Sequence, residues 1–204
     1  MLAFASMLPG SDPVPLMLAC HPQIPCGLVR RVDAVVTSAG EGALTLTYVL
    51  QGELSRLRIP ECQPPRRADG LWRHTCFEAF VMVAEGPGYH EFNFSPCGAW
   101  AVYAFRGYRD GGWEERAPAP DITVRLAPDR LELVATICHD FSPRGGPLRL
   151  GLSAVVEDAG GGLSYWALRH PPGRPDFHHP EAFALHLMRT EGEGIGINRG
   201  EVYP

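Results

Sequence analysis

Short runs of alternating apolar and polar residues, separated by turns rich in glycine and proline, recur along most of this chain. Residues 43–50 show the pattern, with Leu44, Leu46, Tyr48 and Leu50 at every second position. A period of two is the period of a β-strand whose two faces meet different surroundings. About ten such strands are predicted at fairly even spacing, and no run has the period of an amphipathic helix. The pattern predicts an all-β, single-domain antiparallel β-sandwich of the immunoglobulin or jelly-roll kind.

Glycine and proline also set the predicted boundaries between strands. Turn signals at residues 39–42, 85–88 and 127–129 each predict a hairpin. We expect an irregular lead-in over residues 1–27, the sandwich over residues 28–190 and a loose tail over residues 191–204. The predicted strands cover residues 29–38, 43–50, 54–59, 76–84, 89–94, 100–106, 122–126, 130–138, 148–156, 164–168 and 183–188. Residues 60–71, 107–120 and 170–180 are predicted to be loops.

The net charge and hydropathy of the chain limit which partners and which cellular location we expect. The 204 residues carry a net charge of −5, and all 18 basic residues are arginines. Nucleic acids and anionic membranes attract basic proteins, so neither is an expected partner. No apolar run reaches the roughly 18 residues of a membrane helix, and the first residues lack the basic start of a signal peptide. We therefore expect a cytoplasmic protein. The six cysteines show no CxxC spacing and are expected to be free thiols.

Glu78 lies at an apolar position of a predicted central strand. Both faces of residues 76–83 are largely apolar, so an unpaired carboxylate there would cost stability. One interpretation makes Glu78 a hydrogen-bond acceptor for a ligand, or a general base with a raised pKa. The other makes it a buried glutamate paired with Arg73 or Arg106. The sequence does not separate the two.

The next predicted strand adds a second set of polar groups. Glu91 and Asn93 share one of its faces, and the hairpin can bring both beside Glu78. Carboxylate and amide groups bind sugar hydroxyls, while aromatic rings stack on the apolar faces of sugars. Among the tryptophans and tyrosines, Trp72 and Trp166 are the stronger candidates for stacking, because each adjoins a polar loop. Large aromatic residues elsewhere are expected in the core.

The histidines support an alternative interpretation. His170, His178 and His179 fall in a proline-rich loop, and His74 lies near the Glu78 strand. Imidazoles could hold zinc, iron or haem. However, adjacent residues of an extended segment point in opposite directions, so His178 and His179 do not easily share one ion. We favour the interpretation that a histidine pins this loop by hydrogen bonds, with no metal and no cofactor, and haem remains the alternative.

Several segments carry a resemblance to a known family. These are Cys20-His21-Pro22 and residues 71–80, 91–96, 102–105, 107–109, 164–168 and 175–179. Together they resemble bacterial DOMON-like proteins, over most of residues 18–188. The resemblance implies a β-sandwich like that of family 9 carbohydrate-binding modules. Relatives in the wider superfamily bind sugars or haem, and some are accessory domains of redox enzymes.

The sequence thus predicts a binding domain rather than an enzyme, with no catalytic residue and no metal ligand. The expected partner is a polar small molecule of carbohydrate type. The predicted ligand-binding residues are Trp72, Arg73, His74, Glu78, Glu91, Asn93, Trp166, His170 and His178. The alternative is a haem- or metal-binding redox or enzymatic domain that uses His74, His170 and His178.

Overall fold

The computed structural model describes residues 14–39, 42–83, 86–139, 147–189 and 195–198. These ranges contain short 3-10 turns and antiparallel β-structure, and none of their helices is long and apolar enough to cross a bilayer. The strands are β1 (Leu16–Cys20), β2 (Val29–Ser38), β3 (Ala43–Gly52), β4 (Arg66–Arg67), β5 (Cys76–Val83), β6 (Tyr89–Phe94), β7 (Ala99–Gly107), β8 (Asp110–Glu114), β9 (Asp121–Ala127), β10 (Arg130–Cys138), β11 (Leu148–Glu157), β12 (Leu163–Ala167), β13 (Leu185–Arg189) and β14 (Ile195–Asn198).

The strands form two layers that share β1. We call the first layer the front sheet: its order is β4-β7-β6-β5-β11-β12, with β8 beside β7 and with β13 and β14 beyond β11. The second layer, the back sheet, has the order β2-β3-β10-β9. Residues 16–18 of β1 pair with β2, and Ala19 and Cys20 pair with β12. Every pairing is antiparallel except that of β4 with β7, so the predicted all-β sandwich is confirmed.

The core lies between the inner faces of the two sheets. Every second residue of β3 and β10 is buried there, as the alternating pattern predicts. The front sheet contributes Phe77, Ala79 and Val81 of β5 to the same core. Tyr48 of β3 crosses the core, and its hydroxyl donates a 2.7 Å hydrogen bond to the Glu78 carbonyl oxygen. This bond ties the back sheet to the central strand of the front sheet.

The two sheets differ on their outer faces. Strand β5 is buried on both faces, as predicted, whereas β9 of the back sheet is open to solvent. Three loop segments cover the outer face of the front sheet: the 3-10 turn Leu71–Arg73, the turn between β7 and β8, and residues 169–183. Under them a second, smaller apolar cluster contains Phe80, Met82, Tyr89 and Phe183. The outer face of the front sheet is therefore the place where a site can form.

The hairpins β2–β3, β5–β6 and β9–β10 are confirmed, with the paired strands running antiparallel across the predicted turns. The turn at residues 160–162 likewise joins β11 to β12. These pairings follow from local patterns, because each strand carries its own alternation and each turn contains glycine or proline.

Other segments differ from the prediction. Residues 54–59, predicted to be a strand, form the 3-10 turn Leu54–Arg56 followed by a single bridge at Leu57. Leu54 and Leu57 are both buried, and a spacing of three places them on one side of such a turn. Strands β1, β4, β8 and β14 lie in segments that we expected to be lead-in, loop or tail. Each has five residues or fewer, so its own sequence shows little of the alternation that identifies a strand. The remainder of the predicted tail falls outside the described residues.

Candidate binding site

Two carboxyl side chains lie on the same face of the front sheet, because side chains alternate between the two faces along each strand. Glu78 of β5 pairs with Asn93 of β6, and Phe80 pairs with Glu91. Glu78 and Glu91 are therefore diagonal neighbours on adjacent strands, a relation that keeps long side chains within reach of each other. Strand β7 continues the row, because Glu91 pairs with Tyr103. All of these side chains point to the outer face of the front sheet.

A cavity of about 710 Å³ opens over this face. Its size falls in the range of small-molecule sites. Strand residues form the floor and loop residues form the walls and mouth. The floor contains Glu78, Phe80, Glu91, Tyr103, Phe105, Val155, Leu163 and Tyr165. The loops contribute Asp69, Trp72, Arg73, Arg109, Pro175, Phe177 and His178, and strand β8 contributes Gly112.

Glu78 is almost completely buried, with 2% of its surface exposed. The Ser153 hydroxyl donates to its Oε2 at 3.2 Å, and within the described ranges no cation contacts its carboxyl group. Burial, and then the nearby charge of Glu91, raise the pKa of Glu78 well above its usual value. The glutamate–arginine pair that was the alternative interpretation does not form: Arg106 bonds Asp110 at 3.0 Å, and Arg73 lies exposed beside Trp72.

Glu91 has a partner but not a full counter-charge. Asn93 donates from Nδ2 to Glu91 Oε1 at 2.8 Å, and His178 Nε2 lies 3.6 Å from Oε2. Burial raises the pKa of Glu91 to about 7, although the Asn93 hydrogen bond and the charge of Arg109 both act to lower it. Asn93 itself is fully buried and lies on the same face as Glu91, but it does not line the cavity. Its role in the geometry is to orient Glu91.

His178 is held as a neutral ring. Burial, together with the charge of Arg109, lowers the pKa of His178 to about 4. Its Nδ1 is 2.8 Å from the Tyr89 hydroxyl, which also accepts a hydrogen bond from the Arg109 backbone N–H at 3.2 Å. A hydrogen bond thus links Tyr89 to one ring nitrogen of His178, and the other ring nitrogen, Nε2, faces Glu91.

Asp176 ties two walls of the cavity together. Its carboxylate accepts from the Tyr108 hydroxyl at 2.6 Å, from the Arg109 guanidinium at 2.8 Å and from the His178 backbone N–H at 3.1 Å. Tyr108 and Arg109 lie in the β7–β8 turn, whereas His178 lies in the later loop. Arg109 has a φ of 53°, in the left-handed region that a side chain disfavours. The contacts to Asp176 and Tyr89 hold this conformation in place.

Trp72 lies at the mouth of the cavity. It is 38% exposed and packs edge-on against Tyr103, with 5.7 Å between the ring centres. The Tyr103 hydroxyl donates a short hydrogen bond to the Asp69 carboxylate, which fixes this side of the wall. The Arg73 guanidinium lies 6.0 Å from the Trp72 ring. A partly exposed indole beside a polar cavity can stack on an incoming ring.

Five of the residues predicted from the sequence meet at this cavity: Trp72, Arg73, Glu78, Glu91 and His178. A sixth, Asn93, does not line the cavity but hydrogen-bonds Glu91. The other three lie elsewhere. Their positions follow from the alternation of side chains along a strand and from contacts that the sequence pattern does not reveal.

His74 and His170 contact groups outside the cavity. His74 Nδ1 lies 2.7 Å from Glu157 Oε2, and Glu157 also bonds Arg58 at 2.5 Å. His170 Nε2 bonds the Ala19 carbonyl oxygen at 2.8 Å. His74, His170 and His178 thus have separate partners, and the described ranges contain no group of three or more histidine, cysteine, aspartate or glutamate side chains arranged for a metal ion.

Trp166 lies in the main core rather than at the site. It pairs with Ala154 on the inward face of β12, is 5% exposed, and donates from Nε1 to the Ser164 hydroxyl at 3.1 Å. Its neighbour Tyr165 takes the outward position and lines the cavity. Proximity to a polar loop indicated the right segment but the wrong residue, because consecutive strand residues face opposite ways.

The sequence interpretation missed several residues of the cavity. Tyr103 and Phe105 could have been found from alternation, since both lie across from the Glu91 face in the β6–β7 pairing. The loop residues Asp69, Arg109 and Phe177 had no such signal. Loop side chains are placed by contacts between segments far apart in sequence, as Asp176 shows.

Comparison with known proteins supports the fold. No protein-family profile and no curated protein matches the chain. A crystal structure of a protein from Bacteroides uniformis, provisionally described as carbohydrate-binding, matches with a TM-score of 0.58 and 18% identity over 84% of each chain. A family 9 carbohydrate-binding module from Caldicellulosiruptor kristjanssonii, in complex with cellotriose, matches with a TM-score of 0.47 and 11% identity over 79% of this chain and 75% of that one. At this identity the first match shows a shared β-sandwich fold.

Proposed function

We propose that this chain is a non-catalytic binding domain whose cavity takes a polar small molecule of carbohydrate type. The observation that carries the proposal is the convergence of Glu78 and Glu91 on one open cavity with Trp72 at its mouth. Buried polar groups are costly, and sites that bind polar ligands are where they are retained. The ligand's hydroxyl groups would satisfy carboxyl oxygens that the protein leaves without full partners.

The cavity lining suits both parts of a sugar, its hydroxyl groups and its apolar ring face. Carboxyl groups accept hydrogen bonds from hydroxyls, and the neutral His178 ring and the arginine side chains donate them. The aromatic side chains at the cavity, among them Trp72 and Tyr165, can cover the apolar face of a pyranose ring. Few small molecules combine many hydroxyls with an apolar face, so the mixture favours a carbohydrate.

Two resemblances agree with the proposal. The Bacteroides uniformis protein that shares the fold is itself described provisionally as carbohydrate-binding. The motifs at residues 71–80 and 91–96, which resemble those of bacterial DOMON-like proteins, both contribute to the cavity. We propose that this chain belongs with those proteins.

Isothermal titration calorimetry against a panel of monosaccharides and disaccharides tests the proposal. At least one sugar should bind, and Trp72→Ala should weaken that binding by about tenfold, through loss of stacking on the ring. Trp113→Ala is the matched control, because Trp113 is also exposed and lies over Arg106, outside the cavity wall. Absence of binding across the panel, or equal losses in both variants, would contradict the proposal.

The proposal also requires that the purified protein carries neither haem nor metal. Absorption spectroscopy and elemental analysis measure this directly. A Soret band, or a metal in stoichiometric amount, would favour the redox alternative based on the loop histidines.

A further inference from the structure

The floor of the cavity is acidic, and no basic side chain of the described residues forms a close ion pair with its two carboxyl groups. Glu78 and Glu91 are 2% and 5% exposed, and they lie diagonally across neighbouring strands. Their hydrogen-bond partners in the described ranges are the neutral Ser153 hydroxyl and the Asn93 amide. The neutral His178 ring approaches Glu91 only to 3.6 Å, through Nε2. Carboxylates buried in this way usually occur with a positively charged partner.

The two arginines of the cavity do not fill this role. The Arg109 guanidinium is committed to Asp176 at 2.8 Å, and its side chain is half exposed. Arg73 is exposed beside Trp72 at the mouth. Positive charge is therefore at the entrance, partly neutralised by Asp176, and the two carboxyl groups are at the floor. A ligand with an acidic group would meet two carboxyls at the bottom of the cavity.

The rest of the lining favours a cation as well. Six aromatic side chains surround the cavity: Trp72, Phe80, Tyr103, Phe105, Tyr165 and Phe177. The faces of aromatic rings attract ammonium groups, and this attraction grows when the site excludes water. Carboxyl groups combined with aromatic walls form an environment in which an ammonium group exchanges its hydration shell for favourable contacts.

The raised pKa values of the two floor carboxyl groups also favour a cationic ligand. Burial and mutual repulsion raise the pKa of Glu78 well above its usual value, and burial raises that of Glu91 to about 7. A positive charge placed between the two carboxyls would oppose both effects, because it favours their ionised forms.

We infer that the ligand carries an ammonium group, as an amino sugar does, and that this group binds between Glu78 and Glu91. The inference rests on the proposed function and names the class of carbohydrate that the site prefers. The hydroxyl groups of the sugar bind nearer the mouth, where the arginines and Trp72 are.

Calorimetric titration with matched sugars at pH 7 tests the inference. The probes are glucosamine, galactosamine and mannosamine, each compared with its neutral parent sugar and its N-acetylated form. At least one amino sugar should bind about tenfold more tightly than both its N-acetylated form and its parent sugar. N-acetylation makes the amine neutral, and the parent sugar has a hydroxyl group in place of the ammonium group.

The variants Glu78→Gln and Glu91→Gln test whether the floor is responsible. Each keeps the shape of the side chain and removes its charge, so each should reduce the preference for the amine to less than about threefold. Glu132→Gln, on the back sheet, is the matched control and should leave the preference unchanged.

The outcomes separate this inference from the proposed function. Binding of neutral sugars as tight as that of amines would overturn the inference and leave carbohydrate binding intact. An amine preference that survives both glutamine variants would also overturn it. Absence of binding by every sugar, charged or neutral, would instead contradict the proposed function itself.

Discussion

At the scale of single residues, Glu78 and Glu91 make the folded protein less stable than its fold allows. Each carboxyl group is removed from water, and neither receives a full counter-charge from the described residues. Burying an ionised carboxylate costs several kcal/mol unless it is paired. A proton held by the pair lowers this cost, because a protonated carboxyl group is neutral. Retaining such a cost at an open cavity, rather than in the sealed core, is typical of a functional site.

The pH dependence of stability follows from the same two residues. Because the pKa of Glu91 rises from 4.5 to about 7 on folding, its stabilising contribution is complete below about pH 4.5 and is lost as the pH rises through about 7. Glu91→Gln removes the ionisable group. We expect it to raise the free energy of unfolding by about 3 kcal/mol at pH 8 and by less than about 1 kcal/mol at pH 5. Urea denaturation of both proteins at the two pH values measures the difference.

Glu132→Gln serves as the control for this prediction, since Glu132 is a partly buried glutamate on the outer face of β10 with arginine partners. Its substitution should not flatten the pH profile. A Glu91→Gln protein that is less stable than the original chain at pH 8 would show that the carboxylate is well compensated, contrary to the structure.

Alternation alone could predict which residues share a face, but not which face meets the partner sheet. It placed Glu78, Glu91 and Asn93 together, and the pairing of β5 with β6 agrees. It did not separate Trp166 from Tyr165, because both belong to one short strand and only the packing of β12 decides which points inward. Alternation also could not predict which of these residues line the cavity: Asn93 shares the face of Glu91 but does not line it.

At the scale of elements, the cavity is completed by loops that one carboxylate holds together. Asp176 bonds Tyr108 and Arg109 of the β7–β8 turn and the backbone N–H of His178 in its own loop. These segments are far apart in sequence, and their mutual position sets the width of the cavity. Binding sites are commonly built this way, with variable loops placed by a rigid sheet.

Removing the charge of Asp176 should therefore affect binding more than folding. Asp176→Asn keeps the size of the side chain but weakens its bonds to Arg109 and Tyr108, so the walls become more mobile. We expect a loss of ligand affinity of about threefold to tenfold, with a fall in the free energy of unfolding of less than about 1 kcal/mol. Calorimetry measures the first, urea denaturation the second, and faster amide hydrogen exchange in residues 108–113 and 170–179 shows the loosening.

Asp110→Asn is the matched control, because Asp110 lies in the same β7–β8 segment and bonds Arg106 outside the cavity. It should leave affinity unchanged. If Asp176→Asn binds ligand as tightly as the original chain, the two loops do not depend on this carboxylate for their position.

The elements differ in how far their own residues specify them. Strands β3, β5, β6 and β10 could be predicted because their alternation is long and regular. Strands β4 and β8 are short, and they form because they pair with β7 through backbone hydrogen bonds. A two-residue strand such as Arg66–Arg67 has too few positions to show a period, so the structure of its partner determines it.

At the scale of the whole molecule, β1 makes the two sheets continuous. Its first residues pair with β2 of the back sheet and its last two with β12 of the front sheet. The sequence predicted an irregular lead-in here, and Pro13 and Pro15 precede the strand. The structure shows that Leu18 is its single fully buried side chain. Leu18 packs into the core that both sheets share. The two layers are therefore expected to unfold together as one cooperative unit.

The final prediction concerns this shared strand. Leu18 is 1% exposed, whereas its neighbour Met17 is 65% exposed. Leu18→Ala leaves a cavity where the layers meet and should lower the free energy of unfolding by about 2–4 kcal/mol. Met17→Ala changes the same strand on its open face and should cost less than about 0.5 kcal/mol. Urea denaturation followed by both tryptophan fluorescence and far-ultraviolet circular dichroism should give one coincident transition for each variant. Separate transitions in Leu18→Ala would show that the sheets fold independently and that β1 does not couple them.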